Sequence, residues 1–114
     1  MSFQYTIKKC VVNVDRKKYT KNDISISDRY MFIHYSKPGG YNGKVMVNMK
    51  KPSEQVSKIG YYGGNKILSF EWTGPWSDED TGKESKKTLQ FKIEFERPVD
   101  GERVYFALIK KLPL

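Results

Sequence analysis

The sequence predicts an all-β protein, a single domain over residues 1–114 folded as an antiparallel β-sandwich. Three observations carry this. Leu68, Phe70 and Trp72 alternate with Ser69 and Glu71, and Leu89, Phe91, Ile93 and Phe95 alternate with Gln90, Lys92 and Glu94. A period of two is that of a strand with one face in a core and one in water. About seven such segments succeed one another with turn-forming residues between most of them. No segment carries the apolar spacing of an amphipathic helix. A barrel is the second choice, since a small closed barrel would leave strands over.

The elements follow in order. Phe3, Tyr5 and Ile7 alternate, and Cys10, Val12 and Val14 resume the pattern on the other parity, which predicts a bulge at Lys8-Lys9. Residues 15–23 (DRKKYTKND) read as a polar turn and hold the densest basic run, Arg16, Lys17, Lys18 and Lys21. Residues 24–35 read as strand with a bend at Asp28-Arg29, apolar on both faces in its second half. Residues 36–43 (SKPGGYNG) form a turn, 44–50 a strand, and 51–55 a loop or one helical turn. A glycine-broken strand covers 56–66, and the two cleanest strands flank a 14-residue polar loop, 73–86. Asp100-Gly101 predicts a turn, and 103–111, apolar on alternate residues of both faces, predicts a central last strand.

The composition fits a globular chain: 38% hydrophobic, 30% charged and 14% aromatic, with eight tyrosines. Residues 1–14 lack the uninterrupted apolar core of a secretory signal, and no run approaches the roughly 18 apolar residues that span a bilayer. The single Cys10 leaves no partner for an intramolecular disulfide. Together these predict a cytoplasmic protein, with non-classical release as an alternative.

Charge is unevenly placed. The net charge is +8, and residues 1–66 carry 13 Lys/Arg against 4 Asp/Glu, while residues 67–114 carry 8 against 9. A basic first half suits a polyanion, either nucleic acid or an anionic lipid surface. Three glycine-flanked stretches each present an aromatic: Gly39–Gly43 with Tyr41, Gly60–Gly64 with Tyr61 and Tyr62, and Thr73–Trp76 with Trp76. A flat ring held at a turn can stack on a base or a sugar, and beside Lys37, Lys44, Lys58 or Lys66 it would form a charged stacking platform. The plainer reading is that these rings cover the ends of the sandwich.

The candidate ligand-binding residues are therefore Tyr41, Tyr61, Tyr62, Trp76, Arg16, Lys17, Lys18, Lys21, Lys44 and Lys58. Asp78, Glu79, Asp80 and Glu84 could offer oxygens to calcium, but their spacing matches no calcium loop and Lys83, Lys86 and Lys87 oppose a cation. No cofactor and no metal site is expected. His34, the one histidine, stands in a strand without a motif, and no nucleophile elbow, zinc-protease helix or phosphate loop occurs. The expectation is a non-catalytic binding module for an anionic partner. The alternatives are a lectin-like or membrane-active defence protein that recognises a glycan or lipid headgroup, and a structural or protein-inhibiting domain of viral type.

Overall fold

The computed structural model describes residues 4–37, 39, 42–77 and 81–109. Nine strands lie among them: β1 (Gln4–Ile7), β2 (Cys10–Val14), β3 (Lys17–Tyr19), β4 (Lys21–Ser27), β5 (Tyr30–Ser36), β6 (Asn42–Asn48), β7 (Val56–Tyr62), β8 (Ile67–Ser77) and β9 (Glu84–Phe95). One 3-10 turn (Pro52–Glu54) and one helix, α1 (Pro98–Ile109), complete the elements of the described residues. The strands form a four-stranded sheet, β1-β4-β5-β6, and a five-stranded sheet, β3-β2-β9-β8-β7. Every pairing is antiparallel. The fold is the expected all-β sandwich, and no described helix is long and apolar enough to cross a membrane.

The period-two pattern fills the space between the sheets. Ile24, Ile26, Met31 and Ile33 face in from the first sheet, and Val12, Leu68, Phe70, Phe91 and Ile93 from the second. Phe70 and Phe91, cross-strand partners, stack with centroids 5.2 Å apart. Trp72 crosses the gap: it is 1% exposed, and its Nε1 donates to the Met46 carbonyl of β6 at 3.0 Å. Gln55 braces the same strand, accepting from the Asn48 N–H at 2.6 Å and donating to Met46 O at 3.3 Å. A Cβ on Gly74 would lie 2.5 Å from the Trp72 ring, so only glycine lets the indole lie there.

Four local expectations are corrected. The change of parity at Lys8-Lys9 marks a crossing between sheets, not a bulge: β1 pairs with β4, and β2 pairs with β3 and β9. The basic segment 15–23 is a turn at Asp15-Arg16 followed by strand, because Tyr19 and Asn22 carry buried side chains that need an extended backbone to reach inward. The outer side of β5 is not buried, since Tyr30 and His34 are exposed and Met31, Ile33 and Tyr35 alone face the core. The loop 73–86 is mostly strand: β8 and β9 pair out to Ser77↔Glu84. Pro75 tolerates this because β7 pairing stops at Val56↔Trp72, leaving its missing N–H on an open edge.

The last segment is a helix, not a central strand. Its apolar run fits either period, and the arbiters are Pro98 at its first position, Asp100 in its first turn, and the spacing of Gly101, Val104 and Leu108 on its buried face. Asp100 is buried and accepts from the Tyr5 hydroxyl of β1 and from Arg97 Nε and Nη2 at 3.3 and 3.2 Å. Burial works to raise the Asp100 carboxyl, but the hydrogen bonds from Arg97 and Tyr5, with the charges of Arg97 and Arg103, outweigh it and hold the group below its ordinary range.

Cys10 is buried at the start of β2. Burial foremost, then the carboxylates of Asp100 and Asp23, push its thiol up to about 12. A buried thiol held in its protonated form reacts slowly with alkylating agents. Iodoacetamide at mildly alkaline pH should therefore leave the folded protein unlabelled and label one site once urea unfolds it; rapid labelling of the folded chain would contradict the packing described.

Candidate functional site

Arg16, Lys17 and Lys18, the densest basic run of the first half, stand at the β2–β3 turn. Asp15 and Arg16 both take positive φ, 49° and 71°, the conformation of a two-residue hairpin turn. Asp15 anchors that turn to β9: its N–H donates to Gln90 O at 2.9 Å, and its Oδ1 accepts from the Gln90 N–H at 2.8 Å. Alternation then sends successive lysines to opposite sides of the sheet. Lys18 pairs with Asn13, and Asn13 with Lys92 of β9, so both lysines point outward. With Arg16 they line a groove of about 440 Å³ on the outer face, where Glu94 is the acidic wall.

Lys17 points the other way. It meets Lys37 and Lys87 at a cleft of about 370 Å³ that opens at this end of the sandwich, between the two sheets. Tyr19, Tyr35 and Trp76 supply its aromatic surface. Tyr19 and Tyr35 are 5% and 2% exposed and pack edge-on at 4.9 Å, so core packing holds that surface rigid. Trp76 is half-buried on the extended β8–β9 hairpin, and Lys87 Nζ sits 4.6 Å from its ring centroid. None of Arg16, Lys17, Lys18, Lys37, Lys87 and Lys92 enters an ion pair among the described residues.

The remaining candidates stand elsewhere. Tyr62, 48% exposed, pairs with Ile67 at the opposite end of β8, which places it about 30 Å from Trp76 at the usual rise per strand residue. Tyr61, beside it, is half-buried, stacks on Tyr105 of α1 at 4.3 Å and donates to Asn65 O at 3.1 Å. Burial foremost, then Glu102 and Tyr105, raises its phenol. Lys58 sits in a β7 bulge at φ 54° and is engaged by Glu71 at 3.1 Å. Lys21 and Lys44 belong to the first sheet, where Lys44 lies 4.9 Å over the Phe32 ring. Tyr41 and the acidic stretch 78–80 lie outside the described residues, and no group of three metal-ligating side chains occurs among the described ones.

Thus Arg16 and Lys18 share the outer groove and Lys17 shares the cleft with Trp76, while Tyr61, Tyr62, Lys21, Lys44 and Lys58 join neither. Lys87 and Lys92 were not among the candidates. The signal for them was parity on β9: Lys92 alternates outward with Gln90 and Glu94, and Lys87 shares the inward parity of Leu89 and Phe91. Only the register Val14↔Phe91 places that end of β9 beside the turn. No protein-family model matches the chain, and no curated protein matches it in sequence.

Proposed function

We propose that the protein is a non-catalytic binding module for a polyanion, with single-stranded nucleic acid as its partner. The observation that carries this reading is the gathering of Arg16, Lys17, Lys18, Lys37, Lys87 and Lys92 around one turn, against Asp15 and Glu94 as the acidic wall residues. The basic residues come from the β2–β3 hairpin, from Lys37 just after β5 and from β9; sheet order brings β2, β3 and β9 together, and the packing of the two sheets adds Lys37. A surface of this sign attracts phosphates, and release of their condensed counterions drives binding. Trp76 sits within the same basic end, recessed beneath Lys87, an arrangement suited to a base and poorly suited to insertion among lipid tails.

Binding of a labelled single-stranded oligonucleotide is expected to weaken about tenfold or more between about 50 and 200 mM salt. Lys17→Glu/Lys18→Glu should weaken it about tenfold at the lower salt and reduce the salt slope by about two. Lys66→Glu, at the far end of the second sheet, should change it little. Equal losses in both variants would make the effect one of net charge, and no binding at the lower salt would end the nucleic-acid reading.

A further inference from the structure

The cleft beside Lys17 holds more chemistry than neutralising a phosphate backbone requires. A flat basic face would serve that purpose; here Lys17, Lys37 and Lys87 line one cleft with Tyr19, Tyr35 and Trp76, and the Lys87 ammonium lies over the Trp76 ring. At about 370 Å³ the space lies near the lower end of small-molecule pockets, enough for one ring-bearing unit and too small for a run of bases. Charge narrows the choice. Among the described lining residues, Lys17, Lys37 and Lys87 face one carboxylate, Asp15, one oxygen of which is engaged by the Gln90 N–H. The surplus of two positive charges matches a terminal phosphate monoester, about −1.5 to −2 at neutral pH, better than the single charge of a backbone diester. The Lys87 ammonium lies over the Trp76 ring; drawn to a phosphate, it would uncover that face for a base while its stem borders the ring.

We propose that this cleft takes one phosphate-bearing nucleotide, its base against Trp76 and its phosphate among Lys17, Lys37 and Lys87. The ligand is the phosphorylated end of a single strand or a free nucleoside monophosphate; the proposal rests on the polyanion reading of the same end of the molecule.

The test titrates the full chain with a nucleoside 5′-monophosphate, the matching nucleoside and inorganic phosphate, following tryptophan emission. Trp72 is sealed in the core, so quenching reports Trp76, and Trp76→Phe should abolish it. The monophosphate should quench saturably, and the nucleoside should bind about tenfold more weakly. Lys37→Met and Lys87→Met, which keep the apolar stems, should each cost about fivefold, with Lys66→Met unchanged. A strand phosphorylated at its end should outbind its hydroxyl-ended twin if the source is a strand; equal binding of the two, with the monophosphate still bound, assigns the free nucleotide.

No quenching at millimolar monophosphate, with salt-dependent oligonucleotide binding intact, would overturn the cleft proposal and leave the polyanion interface standing. Equal affinity for nucleoside and monophosphate, or for phosphate alone and monophosphate, would overturn it as well. Failure of every nucleic-acid probe would remove both readings together.

Discussion

Trp72→Ala is expected to destabilise the protein by about 3–5 kcal/mol, the range for truncating a buried large aromatic. The residue is 1% exposed and touches both layers, with its ring packed from β8 and its N–H bonded to Met46 O of β6. Truncation leaves a cavity between the sheets and removes a hydrogen bond that joins them. Trp72→Phe separates the two terms, keeping most of the volume and losing the donor, and should cost about 1–3 kcal/mol. Urea unfolding of the three proteins reads both numbers. Against a total stability of about 5–15 kcal/mol, the alanine variant should unfold at much lower denaturant; a loss below about 1 kcal/mol would mean that the sheets are not held together at this residue.

Gly101→Ala is expected to carry the opposite sign from the usual helix substitution. In an uncrowded helix this change stabilises by about 0.5–1 kcal/mol. Here a Cβ would lie 2.5 Å from the carbonyl oxygen of Asn65, a backbone atom in a turn where Gly63, Gly64 and Asn65 all take positive φ. Neither side can yield as a flexible side chain would. The helix must lift, loosening Val104 and Leu108 from the core and straining the Tyr5–Asp100–Arg97 network. The expected cost is about 1–3 kcal/mol, the range for overpacking. Thermal melting decides it by sign alone: a raised midpoint would show that α1 does not press on that turn.

What could be read from the sequence, and what could not, divides along a physical line. Local alternation identifies a strand and its buried face wherever one side meets water, as in β8, β9 and the second half of β4. It cannot say which sheet a strand joins, so the parity change at Lys8-Lys9 reads equally as a bulge or a crossing. Between Arg103 and Ile109 every residue but Arg103 is apolar, and period loses its power; Pro98 and the close approach at Gly101 decide for a helix. The candidate site suffers from the same limit. Arg16, Lys17 and Lys18 form one visible run, but strand alternation splits them between two faces. Lys37 and Lys87 join Lys17 only because β5 ends and β9 begins at the same end of the sandwich. Glycine-flanked rings look alike in sequence, whereas Tyr61 is spent on Tyr105 and Trp76 rises from a strand rather than a turn.

The crossing at Lys8-Lys9 also sets an order of assembly. All four strands of the first sheet lie within residues 4–48, so that sheet can form while the chain is still being synthesised. Its neighbour cannot, because β2 must wait for β9, about 80 residues later, to occupy the place between it and β8. Until then the inward rows of Ile24, Ile26, Met31 and Ile33 have no opposing layer, and the early β2–β3 hairpin has one open side. Such long-range closure is slow. On this topology the nascent chain would pass through a stage in which half a sandwich, with its sticky face uncovered, awaits the strand that seals it.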